Sequence, residues 1–231
     1  MNIQDFRKKC YEYLLDYVPF YKDKVFVAGG FFPRFYHNIP IRDIDVYVSK
    51  EILSDILAEY TRMNLFDAPA EQTEDKLFYS IPVRGKDFKI EIIAFHEPQS
   101  PKFVEGFDFV QCMFVAPSRD SCEYLSSTDY AAFSCVVQKN VIVNANFSFK
   151  DNLKRFENYI PKKQIVRALN ETTLDLEEYQ PSEEEKEIMK QRLMHAAYAK
   201  TFMRLQKYIQ MGFTINESQM ANLVHKMMEE K

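Results

Sequence analysis

The chain has 231 residues, of which 46% are hydrophobic and 28% charged, ordinary proportions for a globular protein that can bury a sizeable core. A formal net charge of −4 excludes a general nucleic-acid coat while leaving room for a local basic groove. No apolar run reaches the length of a membrane span, the N-terminal M-N-I-Q-D-F-R-K-K-C lacks a signal-peptide core, and the cysteines show no metal-ligand spacing, so a cytoplasmic protein with reduced thiols and no membrane partner is expected.

From the N-terminus, residues 3–17 place Phe6, Cys10, Tyr13, Leu14 and Tyr17 on one helical face. Val25 to Ala28 read as a buried strand, ended by the turn Gly29-Gly30. Ile41 to Val48 is a second strand in which Asp43 and Asp45 are two apart. In a strand both acids face one way, roughly 6–7 Å apart, and repel by about 2–3 kcal/mol at an effective dielectric near 20. Ile44 and Val46 take the other face as core. Such a strand asks for a cation between its acids, and Mg²⁺ (or Mn²⁺) suits two carboxylates completed by substrate phosphates. The alternative is a polar edge strand whose acids meet Arg34 or Arg42. The glycine turn favours a nucleotide, because its backbone N–H groups can hold a phosphate while the acids hold its metal.

Ile52, Leu53, Ile56, Leu57 and Tyr60 predict an amphipathic helix over 51–60, followed by a polar loop at 67–75. Leu77 to Val83 and Phe88 to Phe95 are strands joined by a turn at 84–87, and Phe107 to Val115 reads as a further strand. Ser127 or Thr128 caps a helix through Val137, and 140–149 is extended and β-like. Beyond about residue 150 the pattern turns helical. A long helix is expected from Ser182, its N-cap, to Gln210, with Gly212 as its stop. These features predict an α+β chain of two parts, a mixed-sheet head over 1–150 and a helical region over 151–231.

The stretch 25–48 resembles the nucleotidyltransferase superfamily that includes DNA polymerase beta, and most of all the head domain of tRNA nucleotidyltransferases and poly(A) polymerases. That family carries G-G-x-V-R-D, a short helix and a segment ending in D-x-D. Gly29, Gly30, Pro40, Ile41, Asp43, Ile44 and Asp45 carry the match. Pro33 stands where the family has Arg, Arg34 where it has its first Asp, and Asn38 where it has glycine, a residue that tolerates left-handed backbone. The resemblance implies a nucleotidyltransferase-type mixed sheet and a metal-dependent transfer of a nucleoside monophosphate from an NTP to a hydroxyl, RNA before a small molecule or a protein.

Glu91, an acid in an apolar strand, fits as the third carboxylate beside Asp43 and Asp45; otherwise it pairs with Lys89 or Arg84. G-F-D-F-V-Q-C-M-F (106–114) resembles the family's R-D-F-T-I-N-A motif through Asp108 and Phe109, which implies nucleotide contact, whereas Asp108 read alone can simply end a strand. R-L-Q-K-Y-I-Q-M-G-F (204–213) resembles a helix that follows the head in relatives. There Arg204, Lys207 and Lys200 meet a triphosphate or RNA, or form a solvated face beside core Phe202, Leu205 and Tyr208. The expected catalytic and metal set is Asp43, Asp45 and Glu91; the expected nucleotide set is Gly29, Gly30, Arg34, Arg42, Asp108, Arg204 and Lys207. A degenerate, non-catalytic nucleotide- or RNA-binding module, as in a toxin–antitoxin or phage regulatory pair, is the rival reading.

Overall fold

The computed structural model describes residues 1–19, 24–65, 71–72, 78–95, 101–116, 126–150 and 182–229. Helix α1 (Ile3–Leu14) leads into β1 (Val25–Ala28), α2 (Phe31–Tyr36), β2 (Asp43–Ser49) and α3 (Leu53–Met63). Then come β3 (Glu71–Gln72), β4 (Phe78–Pro82), β5 (Lys89–Phe95), α4 (Ser127–Gln138), the long α5 (Glu183–Gln210) and α6 (Glu217–Glu229). The architecture is α+β: one mixed sheet in the order β1-β2-β5-β4-β3, with β2 and β5 parallel and the other neighbours antiparallel. The basic cluster Lys154, Arg155, Lys162, Lys163 and Arg167, together with His96 and most of the loops at 67–75 and 97–101, lies outside the described residues. Among the described residues no helix is long and apolar enough to cross a membrane.

Strand alternation divides the sheet into two unlike faces. Val25, Val27, Ile44, Val46, Val48, Ile90, Ile92 and Ala94 are buried on one of them, beneath the apolar side of α1. Asn2 caps α1 by accepting the Asp5 N–H at 2.8 Å. Fully buried Phe6 then lies within 5.3–6.4 Å, ring to ring, of Phe32, Phe35, Tyr36, Phe114 and Phe133. Phe6→Ala should therefore cost about 3–5 kcal/mol, since these rings have little room to collapse into the gap; urea unfolding is the check.

Three expectations need correction. The span 107–115 is not a strand: a 3₁₀ turn at Pro101–Gly106 precedes it, it holds another at Val110–Cys112, and its one isolated bridge among the described residues joins Phe109 to Val143, with a further bridge just beyond it from Ala116 to Val27. The span 140–149 likewise joins no strand of the sheet. Helix α4 is capped by Ser126, one residue earlier than expected, because Asp129 can then return a bond to the Ser126 N–H (2.9 Å) while Ser126 Oγ accepts the Asp129 N–H (3.1 Å).

A second core gathers Phe109, Cys112, Val141, Val143, Phe147 and Phe149 against Met194, Leu205, Tyr208, Phe213, Leu223 and Met227 of the helical region. Helix α5 ends in a Schellman turn. The Phe213 N–H reaches the Tyr208 carbonyl (3.0 Å), the Gly212 N–H reaches that of Ile209 (2.9 Å), and Gly212 has φ +82°. Phe202, expected in this core, is instead 42% exposed. It falls on the outer side of α5, while Thr201, Leu205 and Tyr208 face inward.

Candidate active site

The second face of the sheet carries the acids. Parallel pairing sets Asp45 of β2 beside Glu91 of β5, and the same row continues to Ala28 of β1 and Ser80 of β4. Asp43 lies next along β2, beside Lys89. All three carboxylates are half-buried, and Ile44 and Val46 are fully buried behind them. The far end of this face is closed by rings: Tyr47 packs on Phe103 at 4.5 Å and on Phe95 at 6.0 Å.

Burial raises the Asp45 carboxyl well above the usual range, and the charges of Asp43 and Glu91 raise it further. A side-chain hydrogen bond with Glu91 acts in the same direction, while Arg204 opposes it. Glu91 is at the same time ion-paired with Lys89, one of the two partners the sequence left open. Arg84, the other, donates to Asn64 Oδ1 at 3.3 Å. Among the described residues no three His, Cys, Asp or Glu side chains converge on one ion. The donors present are hard oxygens on one row, a set that fits Mg²⁺ or Mn²⁺ completed by phosphate oxygens rather than a closed protein cage.

The glycine turn sits directly on this row. Gly29 has φ +91°, and a Cβ there would lie 2.7 Å from Asp45 Oδ2. Only glycine fits that backbone and that approach. Its N–H donates to the Cys112 carbonyl at 3.1 Å, whereas a Cβ on Gly30 would meet nothing within 4 Å. Asn38 has φ +53°, in keeping with its place at the family's glycine position.

Arg34 is buried and donates Nη1 to the Pro40 carbonyl at 2.9 Å, closing the connection from α2 to β2. Burial and the neighbouring Arg42 lower its pKa. Arg42 itself is exposed just before Asp43. His37 donates Nε2 to the Val136 carbonyl at 2.8 Å and so ties α2 to α4.

Asp108 is only 4% exposed; Arg204 of α5 donates Nε to its Oδ2 at 2.7 Å, and Nη2 lies 2.6 Å from the same oxygen as an ion pair. Burial raises the Asp108 carboxyl, and Arg204 and Thr201 act against that rise. Lys207 is exposed one turn beyond Arg204. Three supports escaped the sequence reading. Thr201 (3.4 Å from Arg204 Nη2) sits three residues before Arg204, a spacing that signals one helix face. Cys112 Sγ lies 2.9 Å from the Tyr208 hydroxyl, and Asn144 donates to the Glu105 and Phe107 carbonyls at 2.7 and 2.8 Å. The latter two join segments far apart in sequence, and no local signal announces them.

No curated protein matches the chain. Among solved structures, it is similar to the Thermotoga maritima CCA-adding enzyme complexed with tRNA (18% identity, 99% of this chain and 47% of that one, TM-score 0.40). It is similar also to a tRNA-processing enzyme in an apo form (11% identity, 97% of this chain and 47% of that one, TM-score 0.46). A CCA-adding enzyme in complex with ATP matches at 18% identity over 71% of this chain and 34% of that one, with a TM-score of 0.43. The chain thus spans half or less of the length of these proteins. The model of the Gabija anti-defense 2 family matches residues 3–155, which include the glycine turn, all three acids and Asp108. The chain belongs to the Gabija anti-defense 2 family.

Proposed function

We propose that the chain is a metal-dependent nucleotidyltransferase that moves a nucleoside monophosphate from an NTP to a hydroxyl, and that it does so in the anti-defence setting its family's description names. One observation carries the reading: the glycine turn closes to within a Cβ's width of Asp45, in register with Glu91. A phosphate on the turn and a cation on the acids would then be neighbours. Asp43 and Asp45 would hold Mg²⁺ or Mn²⁺, joined by Glu91 once Lys89 turns away. The bound ion would supply charge neutralisation at the phosphates and a more acidic acceptor hydroxyl. The Gly30 N–H would orient the phosphate chain, and exposed Arg42 and Lys207 flank the approach. The aromatic wall of Tyr47, Phe95 and Phe103 keeps water from the far end of the row. The acceptor we propose is an RNA hydroxyl, with a small molecule or a protein side chain as the alternatives.

A second reading has an observation of its own. The Lys89–Glu91 pair and the absence of a converged three-acid cluster among the described residues favour a module that binds nucleotide without turning it over. The test offers α-labelled ATP, CTP, GTP and UTP with Mg²⁺ or Mn²⁺ to RNA and to protein extract, beside the Asp43→Asn/Asp45→Asn variant. Label transferred only with intact acids supports the enzyme, and the labelled band names the acceptor class. Nucleotide binding without any transfer supports the module.

A further inference from the structure

We propose that Asp108 is a positioning residue: it holds one edge of the Arg204 guanidinium so that the other edge faces the acid row and grips the phosphate chain of a nucleotide. The inference rests on the nucleotide reading above and assigns a task within it to the ion pair between the head and α5.

Asp108 cannot itself meet a sugar. Its carboxylate is shut in, its Oδ2 accepts Nε of Arg204 with Nη2 ion-paired to the same oxygen, and the Thr201 hydroxyl bonds it as well. Its backbone is fixed too, since its carbonyl accepts the Asn144 N–H at 2.9 Å. Arg204 is a different case. Its side chain is 46% exposed, and among the described residues its Nη1 makes no hydrogen bond. It lies within electrostatic reach of both Asp45 and Tyr47. A guanidinium carries two edges, and a carboxylate on one leaves the other preset for a phosphate.

Contacts of residues 108–112 link Arg204's helix to the glycine turn. One turn beyond Arg204, Tyr208 meets the Cys112 thiol, and the Cys112 carbonyl takes the Gly29 N–H. The glycine turn, the acids and Arg204 are thereby tied into one frame by residues 108–112. Lys89 pairs with Glu91 and Arg204 with Asp108, whereas among the described residues Asp43, which acts on Arg34 only through space, and Asp45 make no ion pair. A phosphate arriving with its metal would bridge from them to Arg204.

The experiment is calorimetric titration of the full chain, in Mg²⁺, with tripolyphosphate, the four NTPs and the matching dNTPs. Wild type is compared with Asp108→Asn, Arg204→Lys, the double variant and Thr201→Val, each with its melting temperature. Asp108→Asn should weaken tripolyphosphate and NTP by the same factor, roughly tenfold, the order seen when an outer partner of a ligand is lost. The NTP/dNTP ratio should not move, and the double variant should be no weaker than Arg204→Lys alone. Loss of NTP affinity with tripolyphosphate spared, or a shifted NTP/dNTP ratio, would make Asp108 a sugar contact and overturn the proposal. So would wild-type affinities in all variants with only the melting temperature lowered. Should Asp108→Asn not fold, Arg204→Lys and Thr201→Val carry the same comparison, because one lies on a half-exposed helix face and the other conserves shape. A wild type that binds neither probe would overturn the nucleotide reading and this inference together; a wild type that binds, with unaffected variants, overturns the inference alone.

Discussion

Asp45→Asn should raise the melting temperature of the metal-free protein while lowering nucleotidyl transfer by on the order of a thousandfold. The two effects share one cause. In the fold Asp45 is pressed by burial and by the charges of Asp43 and Glu91, so its carboxyl binds its proton more tightly than in the unfolded chain. A native pKa raised above the unfolded one, near 3.9, means that stability falls as pH climbs from about 4 through the native value and then levels off. Asparagine removes that penalty, for a gain of about 1–2 kcal/mol at neutral pH, part of the like-charge repulsion between neighbouring acids. The gain should disappear near pH 4 and below, where aspartate is protonated in both states. Thermal melts in chelator from pH 4 to 8 test the stability arm, and Mn²⁺ binding followed by electron paramagnetic resonance tests the ligand arm. An asparagine variant that is less stable at pH 7 and still binds Mn²⁺ would show that the acid row has a structural task only.

The second large effect separates two adjacent glycines. Gly29→Ala must place a side chain at φ +91° and 2.7 Å from Asp45 Oδ2, and should cost about 2–4 kcal/mol through backbone strain and the forced shift of the carboxylate. Gly30→Ala meets nothing within 4 Å and should change stability by less than about 0.5 kcal/mol. Denaturant unfolding of both variants decides it. Equal losses would mean that the turn, not its closeness to Asp45, requires glycine. Metal affinity should follow the same order, because alanine at 29 moves the ligand and alanine at 30 does not.

Legibility from sequence follows the range of the interaction. The strands around the acids, the amphipathic face of α1 and the Gly212 stop depend on neighbours within a few residues, and their patterns predict them. The 107–115 segment misleads because its alternation of aromatic and β-branched residues is strand-like, yet among the described residues β1 meets the chain there in a single bridge just beyond the segment, at Ala116. The chain instead bends to bring the Cys112 carbonyl to Gly29 and Asp108 to Arg204. The bond from Arg34 to the carbonyl of Pro40 was not legible either, since it depends on how the chain turns between α2 and β2. Asp108 was legible as a residue of consequence and not as a partner of Arg204, 96 positions away.

The second core also sets a timetable for synthesis. Its apolar residues at 109–149 must wait for Leu205, Tyr208, Leu223 and Met227, which complete it. At a ribosome pace of roughly 5–20 residues per second, that leaves several seconds in which the nascent head emerges with this second core uncovered. Phe109, Phe147 and Phe149 are then a temporary chaperone target on every new chain. A fragment ended near residue 150 would keep its acids and expose the apolar side of Phe109, Phe147 and Phe149.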